Sequence, residues 1–160
     1  MFKKVFIFWL LSNVFIVFLP AQTKHALIVA IGNYPNPDEN LWGVINSLND
    51  VPLIKDALIK SQKFNEKNVQ VITDAQADRK GIIKALENLI LKVKRNDIVV
   101  IHFSSHGQQL QDDGDDEIDG LDEAIVPYGA VFSRDETKIK ELSNGYLRDD
   151  LFGDLITQLR

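Results

Sequence analysis

Proton transfer at neutral pH calls for an imidazole in a confined position, and His106 has the setting for it. It lies in Ser104-Ser105-His106-Gly107, directly after the apolar run Asp97-Ile98-Val99-Val100-Ile101-His102-Phe103. An imidazole can act as general base or general acid near neutrality. A histidine just past the carboxyl end of a buried parallel strand sits where open α/β sheets place their chemistry. Gly107 allows backbone to approach a ligand closely. His102 lies inside the strand and reads as a buried, satisfied histidine; His25 opens another strand and shows no partner signal. Ser104 and Ser105 are discounted as nucleophiles. Neighbours in a tight turn rarely reach nucleophile–base geometry, and the chain has no Gly-x-Ser-x-Gly elbow.

Carboxylates form the second chemical cluster. The stretch Asp112 to Glu123 is dense in Asp, Glu and Gly, and no Lys or Arg falls between Gly107 and Ser133. Such a segment offers hard oxygen ligands to calcium, or else is a solvated acidic surface. An EF-hand does not fit: counted from Asp115, the twelfth position is Val126, where a bidentate Glu is required. Asp149 and Asp150 open a last helix. There they can cap it, favour its dipole, or complete a cation site with the acidic stretch.

The elements that must hold these groups alternate in type. His25–Ile31 is a continuous apolar run closed by Gly32-Asn33, the pattern of a strand buried on both faces. A loop rich in Pro and Asn follows from Tyr34 to Asn40. Asn49 or Asp50 can cap a helix with Pro52 in its first turn and an apolar stripe of Leu53, Ile54, Ala57 and Leu58. Asn68–Thr73 is a second strand. Asp78 can cap a helix carrying Ile82, Ile83, Leu86, Leu89, Ile90 and Val93, and Asp97–Phe103 is the third strand. This order predicts right-handed βαβ crossovers, a mainly parallel sheet and helices on its faces. Ala124–Pro127 reads as a short extended piece, Ser133–Asn144 as a polar excursion, and Asp149–Leu159 as the last helix. No following strand is present, so Arg160 reads as a cut within the domain.

With 160 residues the chain suits one domain. A net charge of −5 argues against nucleic-acid binding, which needs a basic face. There is no cysteine, which excludes disulfides and makes a structural zinc site unexpected. Residues 1–21 read as a signal peptide: Lys3 and Lys4, then apolar Val5 to Leu19, then Pro20-Ala21. About 15 apolar residues fall short of the roughly 20 that span a bilayer, so export with cleavage is expected over a stable membrane anchor. Residues 22–160 form the domain.

Taken together, these residues resemble the caspase-like cysteine peptidases, and more closely the metacaspases and their bacterial relatives. The resemblance is carried by Ala26–Tyr34, Leu48-Asn49-Asp50-Val51, His102–Gln109, Gly114–Pro127 and Leu147–Leu151, in the family's order. It implies a three-layer α/β/α sandwich and a Cys–His dyad in which His106 pairs with a cysteine thiolate. It implies that Asp50 and Ser104 line a primary pocket selecting Arg or Lys before the scissile bond, although a helix cap is an equally good reading of Asp50. It also implies that Asp122, Asp149 and Asp150 bind an activating calcium ion, with no organic cofactor. Ser47 stands where many metacaspases carry Cys, a change in the pocket wall. The caspase pattern puts the nucleophile roughly 50 residues after the histidine. In the family it lies in an Asp-x-Cys-His-x-Gly segment after the next strand, beyond Arg160, together with a pocket Asp and a further calcium ligand. The expectation is therefore an exported endopeptidase whose His half alone is present, inactive by itself. The alternative is a non-catalytic calcium-binding or scaffold relative. Arg134, Lys138 and Lys140 would suit self-cleavage.

Overall fold

The computed structural model describes residues 22–35, 42–112, 114, 117–131 and 145–159. The expected signal peptide, most of the loop after Tyr34, three of the clustered aspartates (113, 115 and 116) and the polar excursion with its basic residues lie outside them.

Strand β1 (Lys24–Ala30) is the centre of a parallel sheet, flanked by β2 (Val69–Thr73) and β3 (Ile98–Ser104) in the order β2-β1-β3. Its apolar run is continuous because both faces are covered, and Ala26 to Ile31 are all buried. On one face Leu27, Val29 and Ile31 meet Ile82, Ala85, Leu86 and Leu89 of helix α2 (Arg79–Lys92). On the other, Ala26 and Ile28 meet Leu58 and Phe64, with Val51 and Ile54 of helix α1 (Asp50–Asp56) packed alongside. Each fully buried aliphatic side chain contributes about 1.5–3 kcal/mol. Helix, sheet and helix are the expected three layers.

The helix starts follow the residue chemistry in part. Asp78 caps α2 as expected, its Oδ1 accepting from the Gly81 N–H at 2.6 Å. At α1 a 3₁₀ turn, Asn46–Asn49, runs directly into the helix. Neither Asn49 nor Asp50 caps it; Asp50 is its first residue and its carboxylate faces elsewhere. In the last helix, α3 (Asp149–Thr157), Arg148 holds the N-cap position and makes no side-chain cap bond. Asp149 and Asp150 lie within the first turn, not at the N-cap position, and their charge there favours the dipole.

A second sheet was not foreseen. Strands β4 (Gly107–Gln111), β5 (Leu121–Ile125) and β6 (Leu147–Arg148) form an antiparallel β4-β5-β6 sheet. The acidic stretch is therefore shorter as a loop than its composition implies, because Leu121, Asp122 and Glu123 belong to β5. Along β5, Asp122 and Ala124 are buried while Leu121 and Glu123 are exposed, the period of a one-sided strand.

Two histidine readings change. His25 has a partner, Asp97, at 3.5 Å, and both side chains are nearly buried. His102 is not satisfied: its Nε2 is buried and meets no hydrogen-bond partner among the described residues.

Candidate active site

Only Ser105 and His106 separate the end of the parallel sheet from the start of the antiparallel one. His106 is held on three sides. Its carbonyl accepts from the Val126 N–H at 3.0 Å, and its own N–H donates to the Tyr34 hydroxyl at 3.1 Å. Its Nε2 lies 2.9 Å from the Gly43 carbonyl oxygen. A carbonyl only accepts, so Nε2 carries the proton and, in the neutral ring, Nδ1 carries the lone pair. The ring is packed between Tyr34 and Trp42, with centroids 5.2 and 5.1 Å away. His106 thus has a fixed tautomer and a fixed ring plane, as a general base requires.

The loops around it are tied in turn. Asp74 takes the Gly32 and Asn33 N–H groups at 2.8 and 3.1 Å, and the Asn33 side-chain amide at 2.8 Å. Burial works against the Asp74 charge, but the bonds from Asn33 and Gly32 prevail and hold its carboxyl below the usual range. Its φ of +40° shows that the turn is shaped around this clamp. Gly32 in turn accepts from the Ile45 N–H at 3.0 Å, which fixes the segment carrying Gly43. A side chain at position 32 would press on that contact, since a Cβ there would lie 2.9 Å from the Ile45 oxygen.

Asp50 and Ser104 are brought together, as expected for one pocket. The Ser104 hydroxyl donates to the Asp50 carboxylate across the space between β3 and α1. Ser47, in the 3₁₀ turn that leads into Asp50, is buried. The pairing holds the carboxylate at the carboxyl end of the sheet, on the edge where His106 also lies.

The three carboxylates named for calcium have the right donor chemistry. Asp122 is fully buried on β5, while Asp149 and Asp150 follow β6, whose Arg148 lies opposite Ala124. The arrangement does not form a ready cage. The Asp122 carboxylate accepts from the Arg148 guanidinium, which also donates to the Gln111 carbonyl at 3.1 Å. Among the described residues no three His, Asp or Glu side chains converge as a metal ion would need. Asp149 instead borders an open groove with Gln108, Gln109, Glu123, Leu147 and Phe152, directly beyond His106.

Gly43, Trp42 and Tyr34 are the participants that the residue pattern did not single out. The first acts through a backbone carbonyl, which leaves no trace in residue type. Tyr34 and Trp42 lie 72 and 64 residues from His106 in the chain, so only the fold brings them to it.

The description "Metacaspase, peptidase C14 domain" matches residues 24–159. Metacaspase-2 of Arabidopsis thaliana is 36% identical over 110 residues, covering 65% of this chain and 25% of that protein. Metacaspase-1 of Eremothecium gossypii is 30% identical over 141 residues, covering 84% of this chain and 28% of that protein. The crystal structure of protein GSU0716 from Geobacter sulfurreducens shares the fold, with a TM-score of 0.60 and 22% identity, over 85% of this chain and 45% of that one. The chain belongs to the metacaspases, a family of caspase-like cysteine peptidases. It spans about a quarter of the length of these metacaspases.

Proposed function

We propose that this domain supplies the general base of a cysteine endopeptidase that cleaves after Arg or Lys. The contact between His106 Nε2 and the Gly43 oxygen carries the reading, because it leaves Nδ1 free to accept a proton. The chain has no cysteine, so the nucleophile comes from a segment outside it. Nδ1 takes the thiol proton, the thiolate adds to the scissile carbonyl, and the imidazolium returns that proton to the departing amine. Water then hydrolyses the thioester, with His106 again as base. Protein or peptide is the substrate class. The Asp50 carboxylate, oriented by Ser104, supplies the charge that favours Arg or Lys next to the cut bond.

Calcium belongs to the same proposal and enters by exchange: an ion reaching Asp122 would take over the charge that Arg148 now neutralises and, with Asp149 and Asp150, would order the region next to His106 and so raise activity. Export by residues 1–21 belongs to the same reading, and no helix among the described residues is long and apolar enough to cross a membrane.

The test uses the enzyme completed with its cysteine-bearing segment. It should cleave Arg- and Lys-ended fluorogenic peptides far faster than Asp-ended ones, and His106→Ala should remove turnover. Retained turnover in His106→Ala would exclude His106 as the base. No turnover with any peptide from a folded, completed protein would favour the scaffold alternative.

A further inference from the structure

We infer that the Tyr34 hydroxyl is a wedge inserted into the β4–β5 ladder, and that this wedge aims His106, making Tyr34 a positioning residue for the proposed base. The observation lies in the register. Gly107 pairs with Ile125 and Gln108 with Ala124, so His106 and Val126 are the next pair along. In an antiparallel ladder every second pair exchanges two N–H···O bonds, and the bond from the Asp112 N–H to the Gly120 oxygen puts His106–Val126 in that set. One is made directly, from the Val126 N–H to the His106 oxygen at 3.0 Å. The reciprocal bond is not. The His106 N–H donates to the Tyr34 hydroxyl at 3.1 Å, and that hydroxyl donates to the Val126 oxygen at 3.0 Å.

The hydroxyl therefore stands where the second ladder bond would form. It satisfies both backbone groups and holds them two hydrogen bonds apart instead of one. Without it, the His106 N–H and the Val126 oxygen would close by roughly 2 Å into an ordinary ladder bond. That closure would turn His106 toward the hairpin and draw its ring from the Gly43 oxygen, 2.9 Å away, and from Trp42. The Asp74 clamp on Gly32 and Asn33 keeps the wedge from backing out. Burial pushes the Tyr34 phenol up to about 12, despite the bond from the His106 backbone and assisted by the Asp74 charge. The donor to Val126 is thus present throughout the neutral range. Tyr34 is 5% exposed, so no solvent molecule is needed to complete the bridge.

This inference rests on His106 being the base, but its test does not depend on turnover. In the full chain labelled with ¹⁵N and ¹³C, the trans-hydrogen-bond coupling between the His106 nitrogen and the Val126 carbonyl carbon should be absent. It should appear in Tyr34→Phe, together with loss of the single Nε2–H tautomer at His106. In the completed enzyme Tyr34→Phe should lower kcat about 10²-fold with KM little changed, the scale of a misplacement near 1 Å. A coupling from the His106 nitrogen to the Val126 carbonyl carbon in the parent protein would overturn the wedge even if Tyr34→Phe failed to fold. An unchanged tautomer and kcat in a folded Tyr34→Phe would overturn its aiming role. Either result leaves the His106→Ala test of the base untouched.

Discussion

Arg148→Met should be among the more damaging single substitutions outside the aliphatic core. Asp122 is 1% exposed, and the Arg148 guanidinium faces its carboxylate from β6. Removing one member of a buried ion pair leaves an uncompensated charge, at a cost of about 3–5 kcal/mol. The Arg148 side chain is 16% exposed, so some water can follow it out, and the lower end, about 3 kcal/mol, is the better figure. For a domain of this size that corresponds to a fall in Tm of roughly 10 °C by calorimetry. Asp122→Asn combined with Arg148→Met removes the charge along with its partner and should recover most of the loss. A double variant as unstable as the single one would refute the argument, because the cost would then lie in lost packing of the arginine stem. Calcium provides a second arm. Millimolar calcium should raise the Tm of Arg148→Met and leave the double variant unmoved. No response in Arg148→Met would remove calcium from Asp122.

Further outcomes are equally specific. In the completed enzyme Asp50→Asn should lower kcat/KM for Arg and Lys peptides about 10²-fold, as measured by steady-state kinetics, since the charge partner is lost while the Ser104 bond can persist. Gly81→Ala should destabilise α2 by about 1–3 kcal/mol in urea titration despite alanine's helix preference, because a Cβ at position 81 would lie 2.1 Å from the Gln76 oxygen. Leu86→Ala, in the α2 face of the core, should cost about 3 kcal/mol by the same assay. On acidification, Tm should fall below about pH 4. Backbone N–H groups of Lys94 and Thr23, opposed by burial and aided by His25, hold the Asp97 carboxyl low, and Asp74 is held low as well. A carboxyl whose folded value is depressed stabilises above its unfolded value and loses that contribution as pH falls through the folded one. Asp97→Asn should flatten this limb; an unchanged acid limb would show that Asp97 contributes nothing to it.

The parallel half of the fold was legible because its signals are local and redundant. Lys24–Ala30 and Ile98–Ser104 are near-continuous apolar runs, and α2 has both a helical stripe and an Asp78 cap. The antiparallel half was not. Gln108, Gln109 and Gln111 carry no strand signal, and the inward position of β5 is filled by Asp122, a charge whose burial depends on an arginine 26 residues away. His106, Asp50 and Ser104 could be named from residue types and their place relative to β3. The features that orient His106 could not be, since one is a peptide carbonyl and another is a hydroxyl occupying a ladder position.

The two-residue junction between the sheets has a consequence for how the domain opens. β1 pairs on both sides across long sequence separations, whereas the β4–β5 hairpin closes locally and has an exposed outer edge. Such units open independently, each with its own free energy. The hairpin can therefore detach as a separate foldon while β2-β1-β3 stays intact, taking with it Val126 and the direction given to His106. Hydrogen exchange would show this as amides of β4 and β5 exchanging well ahead of those of β1. The base is then disarmed with β2-β1-β3 still paired, at the cost of the buried contacts that Leu110, Ala124 and Val126 make with the shared core.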